Sequence, residues 1–491
     1  MNLGCENGGR WVIAMLVLVF AGVAVAQSES GDENRYNVLF IAVDDLRPEL
    51  GCYGVEHAQS EYLDRFARSS LVFDRHYVQV ATCGASRFAL LTGRSPRSSG
   101  VTRGNNAFYS GKTAFSQQSL PGAQSMPELF RRSGYHTSMI GKVSHTADGR
   151  VYAYDGTGDG RLEMPQAWTE LLTPLGAWER GWGVFFAYAD GKHREDGGGN
   201  KDLWQFTVTE DEQLPDGLNA RIAVEQLARH KESGDRFFMA VGFYKPHLPF
   251  VAPQQDWDAF EGREIPLPPK GRIDSPYWHK SGEFYKYKAQ HKKDYPLADD
   301  AIRDCKRAYS AAVRYVDRQI GKVLIALEEL DLAKNTIVVV WGDHGWHLGE
   351  QEIWAKHTPF ERATQSVLMV RVPRMRTAGK HTVSLAATID IYPTLVELCN
   401  PEFRTPAYPL DGRSLVPLLR HERTRVRDHV RSYWNDAISV RSDSHRLVAK
   451  VRDGEIMATE LYDLTENPDS MSNLSQAEPL IRDRLVESLG L

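Results

Sequence analysis

Three continuous apolar runs along the chain each end in polar side chains that are capable of chemistry. They cover residues 37–43, 237–243 and 336–341. Runs of this length without polar alternation are typical of strands that are buried on both faces of a parallel sheet. The carboxyl ends of such strands border the ligand crevice of an open α/β sheet. We therefore expect the polar residues that follow the three runs to converge in one site.

Amphipathic patterns between these runs predict helices. The clearest ones cover residues 61–69, 126–133, 219–231 and 299–330. Strands that alternate with helices favour an α/β fold, in which a doubly wound sheet carries helices on both faces. Residues 150–215 and 255–298 are rich in glycine, proline and aromatic side chains without a clear period. We interpret these two segments as long loops over the site.

The two ends of the chain differ from this pattern. Residues 11–25 form an apolar stretch of about 15 residues, which is shorter than the roughly 20 needed to span a membrane, and we interpret it as part of a signal peptide. Beyond about residue 401, short runs such as 446–451 predict a small antiparallel sheet. The predicted parts are a signal peptide (1–26), a linker (27–35), a catalytic α/β domain (36–400) and a smaller C-terminal α+β subdomain (401–491).

The overall composition limits the kinds of partner that this protein has. Its 491 residues include 64 acidic and 59 basic side chains, for a net charge of -5. This balance gives no general attraction to nucleic acid, so an anionic substrate has to be bound by a local basic site. With the signal peptide removed, no apolar run of spanning length remains. We expect an exported protein, whether periplasmic, extracellular or lumenal, without a membrane span.

The cysteines are too few for a disulfide scaffold. Cys5 lies in the predicted signal peptide and Cys83 in a motif considered below, which leaves Cys52, Cys305 and Cys399. In an exported protein these three allow one disulfide and one free thiol, and the sequence does not select the pair.

Asp44 and Asp45 are the first candidates for chemistry. Adjacent carboxylates repel each other unless a positive group binds them, and a hard cation such as Ca²⁺ is the simplest partner. An acidic pair at the start of a loop is more often solvated, so the pair alone is weak evidence. Asp343 and His344 follow another buried strand and supply two further ligands. Since His344 offers an imidazole, ligand chemistry alone also leaves Mg²⁺ and Zn²⁺ open.

The segment 83–94 carries the most specific signal. It predicts a short helix that begins at Cys83 and ends at Gly93, so its N-terminus favours negative charge near the cysteine. A lone cysteine is usually a buried structural residue. The pattern Cys-x-[Pro/Ala]-x-Arg followed by Leu-Thr-Gly-Arg, however, resembles the signature of the sulfatase family, in which this cysteine is oxidised to formylglycine. Ala85 stands where the commoner form has proline, which leaves open the maturation system that acts on it.

The resemblance extends over nearly the whole mature chain and is closest to the iduronate-2-sulfatase group of the family. The matching motifs are residues 43–48, 51–54, 141–145, 245–250, 343–346, 348–350, 354–356 and 390–395. Several short motifs in the family's order are stronger evidence than any one of them. The resemblance implies an alkaline-phosphatase-like fold, with a large mixed, mostly parallel sheet sandwiched by helices and a smaller C-terminal antiparallel sheet.

The same resemblance implies a role for each site residue. The implied ligands of one Ca²⁺ per chain are Asp44, Asp45, Cys83 as formylglycine, Asp343 and His344. The implied catalytic residues are Cys83, Arg87, Lys142, His145, His247 and Lys356. In this mechanism the hydrated formylglycine attacks the sulfate sulfur, and its diol accepts a hydrogen bond from Arg87. The sulfate oxygens are bound by Lys142, His247 and Lys356.

The remaining steps of the implied mechanism are proton transfers. Either His247 or Lys356 protonates the leaving alcohol, and His145 then removes a proton from the second hydroxyl, which expels sulfate and restores the aldehyde. Formation of the formylglycine requires a maturation enzyme as a partner. Lys245 is interpreted as a residue that either supports the site from behind its ligands or belongs to the substrate loop.

Two other functions and the substrate stay open at this stage. A phosphomonoester or phosphodiester hydrolase could share the scaffold, although it would normally carry serine or threonine at the position of Cys83. A non-catalytic, secreted glycan-binding protein is the second alternative. The resemblance implies a sulfated, uronic-acid-containing glycan as substrate. Aromatic residues and lysines alternate in residues 277–280 and 285–288, which suits sugar stacking and anion pairing but equally a solvated loop.

Overall fold

A computed structural model describes Met1 and residues 36–273, 275, 281–287 and 297–491. The predicted signal peptide (apart from Met1), the linker, residues 277–280 and residue 288 lie outside the described residues. Cys5 lies outside them as well. The disposition of these segments, and with it the boundary at residue 26, stays a prediction.

The strands of the described residues are numbered in chain order. They are β1 (Asn37–Val43), β2 (Leu71–Phe73), β3 (His76–Tyr77), β4 (His136–Gly141), β5 (Glu170–Leu171), β6 (Trp204–Gln205), β7 (Phe237–Phe243), β8 (Phe250–Val251), β9 (Thr336–Gly342), β10 (His347–Leu348), β11 (Trp354–Ala355), β12 (Leu368–Arg371), β13 (Lys380–Thr382), β14 (Ala386–Ala387), β15 (Val430–Trp434), β16 (Ala437–Arg441), β17 (His445–Arg452) and β18 (Glu455–Asp463).

The α-helices are numbered in the same way. They are α1 (Glu61–Ala67), α2 (Cys83–Thr92), α3 (Pro96–Ser99), α4 (Met126–Arg132), α5 (Gly181–Phe185), α6 (Pro215–Ser233), α7 (Gln254–Asp258), α8 (Asp299–Glu329), α9 (Glu361–Thr364), α10 (Ile391–Cys399), α11 (Val416–Arg420) and α12 (Pro479–Glu487). Among the described residues, no helix combines the length and apolar composition that crossing a membrane requires.

Eight strands form the central sheet, in the order β13-β2-β12-β9-β1-β7-β4-β5. The five strands from β9 to β5 are mutually parallel, whereas β12 runs antiparallel to both of its neighbours. The predicted large, mixed and mostly parallel sheet is therefore confirmed. The three apolar runs predicted as strands are β1, β7 and β9, and β1 lies between the other two.

The sequence of β1 does not alternate between apolar and polar residues, and the packing of the strand explains why. Leu39 and Ile41 pack into a core with α6 and α8 on one face of the sheet. Phe40 and Ala42 pack into a second core with α2, α4 and α10 on the opposite face. Because both faces are covered, every position of the strand is buried. This explains why the sequence shows a continuous apolar run.

The predicted small C-terminal sheet is also confirmed. Strands β15, β16, β17 and β18 form an antiparallel sheet in that order. Glu361, at the start of α9, connects this sheet with the first part of the chain. Its carboxylate accepts hydrogen bonds from Tyr77 Oη at 2.6 Å and Arg446 Nε at 3.0 Å. Burial of a carboxylate is tolerable here because charged and hydroxyl donors surround it.

Two expectations about local structure need correction. The helix predicted over 219–231 begins four residues earlier, at Pro215, since proline is favoured in the first turn of a helix. The segments 150–215 and 255–298 are not loops throughout. The first contains β5, α5 and β6, and the second contains α7. These elements have two to five residues each and are too short to produce a visible period.

Candidate active site

The carboxyl ends of adjacent parallel strands bring the predicted residues together. Asp44 and Asp45 follow β1, Lys142 follows β4, and Asp343 follows β9. Asp45 has a φ of 61°, in the left-handed region that aspartate tolerates better than most residues. Its backbone N–H donates to Asp343 Oδ1 at 2.9 Å. Residues separated by about 300 positions in the sequence thus share one site, as the strand pattern predicted.

Cys83 is the first residue of α2, as predicted, and Gly93 ends this helix with a φ of 67°. The cysteine is 3% exposed. Its Sγ lies 3.3 Å from His344 Nε2 and 3.3 Å from Lys356 Nζ. Burial, followed by the negative charge of Asp44, raises the pKa of the Cys83 thiol well above its usual value. These surroundings favour the protonated thiol of an unmodified Cys83, which is a weaker nucleophile than the thiolate.

Arg87 lies one helical turn after Cys83 and is completely buried. Its Nε donates to Asp343 Oδ2 at 2.9 Å, and its Nη2 donates to Asp44 Oδ1 at 3.0 Å. The remaining Nη1 donates to the backbone carbonyls of Lys142 and Val143. The planar guanidinium therefore joins the ends of three strands, a geometry that a lysine could not reproduce.

The three aspartates experience different electrostatic surroundings. Burial favours protonation of Asp44, but the charges of Lys142 and Arg87 outweigh it and hold the pKa of Asp44 well below the usual range. Burial raises the pKa of Asp45 well above that range despite the charge of Lys356. Burial and the neighbouring Asp44 carboxylate also raise the pKa of Asp343. Two of the three aspartates are thus held in surroundings that disfavour their ionised form, which a further positive charge would favour.

The predicted ligand residues fit a divalent cation. One ligand atom each from Asp44, Cys83, Asp343 and His344 lies within 4.8 Å of the others, and the set Asp44, Asp45, Cys83 and His247 meets the same limit. Asp45 Oδ2 is buried and accepts no hydrogen bond from any described residue. A buried acceptor without a donor is costly. A cation would satisfy it and would offset the mutual repulsion of the carboxylates.

The predicted sulfate-binding residues surround this cluster. Lys142 Nζ donates to Asp44 Oδ2 at 2.7 Å, and Lys356 Nζ donates to Asp45 Oδ1 at 2.8 Å. His247 Nε2 lies 4.0 Å from Asp45 Oδ2. All three side chains are buried. The structure therefore brings a cysteine, three carboxylates and five basic side chains into one connected cluster.

Glu283 belongs to this cluster and was missed by the sequence reasoning. Its Oε1 lies 3.1 Å from His247 Nε2, and its Oε2 lies 3.3 Å from Lys356 Nζ. Although burial opposes ionisation, Lys356 and the hydrogen bond from His247 hold the pKa of Glu283 well below the usual range. The residue lies in a segment without periodicity or a recognisable motif, and a lone glutamate there gave no signal.

His145 lies beside the cluster without joining its hydrogen bonds. Its ring packs against Trp182, with centroids 5.4 Å apart, and its Nδ1 has no hydrogen-bond partner among the described residues. Burial, followed by the charge of Lys142, lowers the pKa of His145 well below its usual value. A neutral imidazole with an unpaired nitrogen is able to accept a proton.

Lys245 is placed as expected, beside the site. Its buried Nζ donates to the backbone carbonyls of His247 at 2.9 Å and Pro249 at 2.6 Å. The lysine thus holds the backbone that carries His247. The other cysteines lie elsewhere: Cys52, Cys305 and Cys399 are free thiols, and no disulfide occurs among the described residues.

Comparisons with known proteins indicate the family of this chain. A family model described as Sulfatase matches residues 36–401, and one described as N-sulphoglucosamine sulphohydrolase, C-terminal, matches residues 349–489. Iduronate 2-sulfatase of Mus musculus is 28% identical over 488 residues, which cover 92% of this chain and 78% of the relative.

Two solved structures show the same fold. Phosphonate monoester hydrolase from Silicibacter pomeroyi is similar with a TM-score of 0.70 and 21% identity, covering 93% of this chain and 94% of that one. A protein in complex with its substrate D-glucosamine-2-N,6-O-disulfate has a TM-score of 0.67 and 21% identity, covering 93% of this chain and 97% of that one.

Proposed function

The chain belongs to the sulfatase family of sulfuric ester hydrolases, and we propose that it removes sulfate from a sulfated, uronic-acid-containing carbohydrate. The reaction would use one Ca²⁺ and a formylglycine residue, which is formed from Cys83. The observation that best supports the proposal is the position of Cys83. It lies at the N-terminus of α2, with its sulfur 3.3 Å from Lys356 Nζ and 3.3 Å from His344 Nε2.

The surroundings of Cys83 argue against a plain thiol nucleophile. The burial of the sulfur and the nearby Asp44 carboxylate favour the protonated thiol. Oxidation to formylglycine would replace this thiol with an aldehyde, whose hydrate supplies the attacking hydroxyl. Ca²⁺, when held by Asp44, Asp45, Asp343, His344 and residue 83, would supply positive charge that favours deprotonation and anion binding. Arg87 would keep two of these carboxylates in place and donate to the hydrate.

The basic residues are proposed to bind the sulfate group. Lys142, Lys356 and His247 are buried donors at the edge of the cluster. Positive charge in a buried site stabilises a transition state in which negative charge develops on the ester oxygens. His247 or Lys356 would protonate the leaving alcohol. His145, with its unpaired Nδ1, would accept the proton of the second hydroxyl as sulfate leaves.

Glu283 adds a requirement that the sequence did not suggest. Its two carboxylate oxygens contact the donors that we assign to the sulfate, His247 Nε2 and Lys356 Nζ. Two negative groups cannot share these donors without strong repulsion. We therefore propose that the side chain of Glu283 turns away when the substrate sulfate binds.

The main rival is a phosphomonoester or phosphodiester hydrolase. The structural likeness to a phosphonate monoester hydrolase supports the shared fold and nothing beyond it. The choice of a carbohydrate substrate rests on the relative named iduronate 2-sulfatase and on the structural neighbour bound to a disulfated glucosamine. We further propose export through the N-terminal segment and maturation by a formylglycine-generating enzyme that accepts Ala85.

Two measurements on one preparation test this function. Mass spectrometry of the peptide containing Cys83 is expected to show the mass of formylglycine, and the same protein is expected to release inorganic sulfate from sulfated uronic-acid oligosaccharides. Phosphate release from matched phosphate esters should be much slower. Full activity with an unmodified Cys83 would refute the formylglycine mechanism. Verified formylglycine without sulfate release from a broad panel of sulfated sugars would favour the non-catalytic alternative.

A further inference from the structure

A cavity of about 690 Å³ lies next to the site and has not been assigned a role. Its lining includes Tyr154, Arg194, Glu195, Lys201 and Lys286. Three of these side chains are cationic and one is anionic, so the cavity carries a positive balance. Such a balance is notable in a protein whose net charge is -5.

Aromatic side chains connect the cavity with the site. The ring of Tyr154 lies 4.6 Å from that of Trp182, which in turn lies 5.4 Å from His145. On the other side, Lys286 ends the short helical turn Phe284–Lys286, which directly follows Glu283. Glu283 contacts Lys356, which we assign to the sulfate, and Lys286 lines the cavity. Residues 283–286 therefore connect the cavity with the proposed sulfate position.

The cations of the cavity are held in different ways. The guanidinium of Arg194 lies 3.5 Å from the ring centroid of Phe186, and its Nη1 donates to Tyr287 Oη at 3.1 Å. Arg194 is also paired with Glu195, with 2.6 Å between Nη2 and Oε1. Lys201 and Lys286 are exposed, and neither forms an ion pair within the part of the chain that the structure describes. A fixed arginine flanked by two uncommitted lysines is suited to a bound anion.

We propose that this cavity is a second anion subsite, which binds a carboxylate or a second sulfate of the carbohydrate next to the sulfate that is removed. The proposal rests on the proposed sulfatase function and deepens it. Because of Glu283, the position next to Lys356 and the cavity differ in how well they accept a second anion. The carboxylate of Glu283 contacts Lys356 and so disfavours a second anion there, whereas the lysines attract one into the cavity that Tyr154 lines. The substrate is thus a carbohydrate with at least two separated negative charges.

The test compares three matched sulfated oligosaccharides. The first has an intact uronic carboxylate, the second has that carboxylate reduced to an alcohol, and the third is the reduced form with one additional sulfate. We expect the wild-type KM to be about five- to tenfold lower for a charged substrate than for the reduced one. If only the substrate with the intact carboxylate has the lower KM, the cavity binds a carboxylate. If only the reduced substrate with the additional sulfate has it, the cavity binds a sulfate. The difference should shrink at high ionic strength because both lysines are exposed.

Variants locate this difference in the cavity. The double variant Lys201→Ala/Lys286→Ala should bring the ratio of the KM values of charged and reduced substrates close to one. Lys334→Ala, a change of an exposed lysine next to the N-terminal end of β9, should keep the wild-type ratio. Both lysines of the double variant are exposed, so folding is not at risk.

The outcomes separate the two proposals. Equal wild-type KM values for charged and reduced substrates, or an unchanged ratio in the double variant, would overturn the subsite while leaving sulfate release intact. Failure of the wild-type protein with verified formylglycine to release sulfate from any of the three would instead overturn the proposed function.

Discussion

Two regions of the candidate active site differ in burial and in the pairing of their charged side chains. The floor consists of Asp44, Asp45, Cys83, Arg87, Lys142, Asp343, His344 and Lys356. The mouth consists of Tyr154, Arg194, Lys201, Glu283 and Lys286. The floor residues are buried and interlocked by charged hydrogen bonds, whereas the two lysines of the mouth are exposed and unpaired among the described residues. A rigid, desolvated floor suits chemistry on a group common to all substrates. An adaptable mouth suits recognition of the part that varies.

The strongest test of the floor is Cys83→Ala. Because this change removes the only proposed source of the nucleophile, sulfate release should fall by at least about a thousandfold. Initial rates on a sulfated substrate measure the effect. Cys305→Ala is the matched control, since Cys305 is also buried but lies on α8, in the hydrophobic core. Retention of more than a small fraction of the activity by Cys83→Ala would contradict the assignment.

Removal of metal should have the next largest effect. Exhaustive chelation should reduce sulfate release by at least about a hundredfold, because the floor carboxylates would then repel both one another and the incoming sulfate. Ca²⁺ should restore activity better than Mg²⁺ or Zn²⁺, since most ligands are oxygens. Ca²⁺ should also raise the midpoint of thermal unfolding. Full activity after verified metal removal would refute a metal role.

Arg87→Lys tests whether activity depends on the hydrogen bonds by which Arg87 connects Asp44 and Asp343. One ammonium group cannot reach Asp44 and Asp343 together, so we expect activity to fall about thirtyfold and unfolding free energy to fall by about 3 kcal/mol. Chemical denaturation and initial rates measure the two effects. Arg446→Lys is the matched control, because Arg446 is also buried and bound to a carboxylate, that of Glu361. The control should lose similar stability but keep its activity per folded molecule. Equal activity losses in both variants would indicate a purely structural role for Arg87.

The smallest expected effect concerns the boundary between floor and mouth. Glu283→Gln keeps the shape of the side chain but removes the charge that competes for His247 and Lys356. Inorganic sulfate should therefore inhibit the variant about fivefold more strongly than the wild type. Inhibition constants measure this change. Glu225→Gln, on the exposed side of α6, is the control and should behave like the wild type. An unchanged or weaker inhibition by sulfate in Glu283→Gln would show that its carboxylate does not compete.

Much of the floor could be predicted from the sequence, and the reason is physical. Strands buried on both faces leave a clear apolar pattern, and the first polar residues after them, such as Asp44 and Asp343, must lie at one sheet edge. Cys83 was identified through a local motif. The contacts of Arg87 with both aspartates were not predictable, because they depend on how α2 packs against the sheet.

Most of the mouth escaped prediction for the opposite reason, although Lys286 lies in the segment 285–288 whose lysines suggested anion pairing. Glu283 directly precedes a three-residue turn, in a segment whose sequence has no period, and Arg194 lies in a glycine-rich segment. Both contact residues that are distant in the sequence, Lys356 for Glu283 and Tyr287 for Arg194. His145 shows an intermediate case. Its motif predicted a place in the site, but the contact of its ring with Trp182 and the lack of a partner for its Nδ1 among the described residues were not predictable.

The burial of Cys83 limits the period in which the proposed modification of its side chain could occur. Lys356, whose Nζ contacts the sulfur, lies 273 residues later in the chain. At about 5–20 residues per second, a ribosome needs roughly 15 to 55 seconds to cover that distance. Once the later segment has packed, the side chain is 3% exposed and closed to another enzyme. The proposed oxidation of Cys83 would therefore have to compete with folding, and a host that folds this chain quickly would then yield a smaller active fraction.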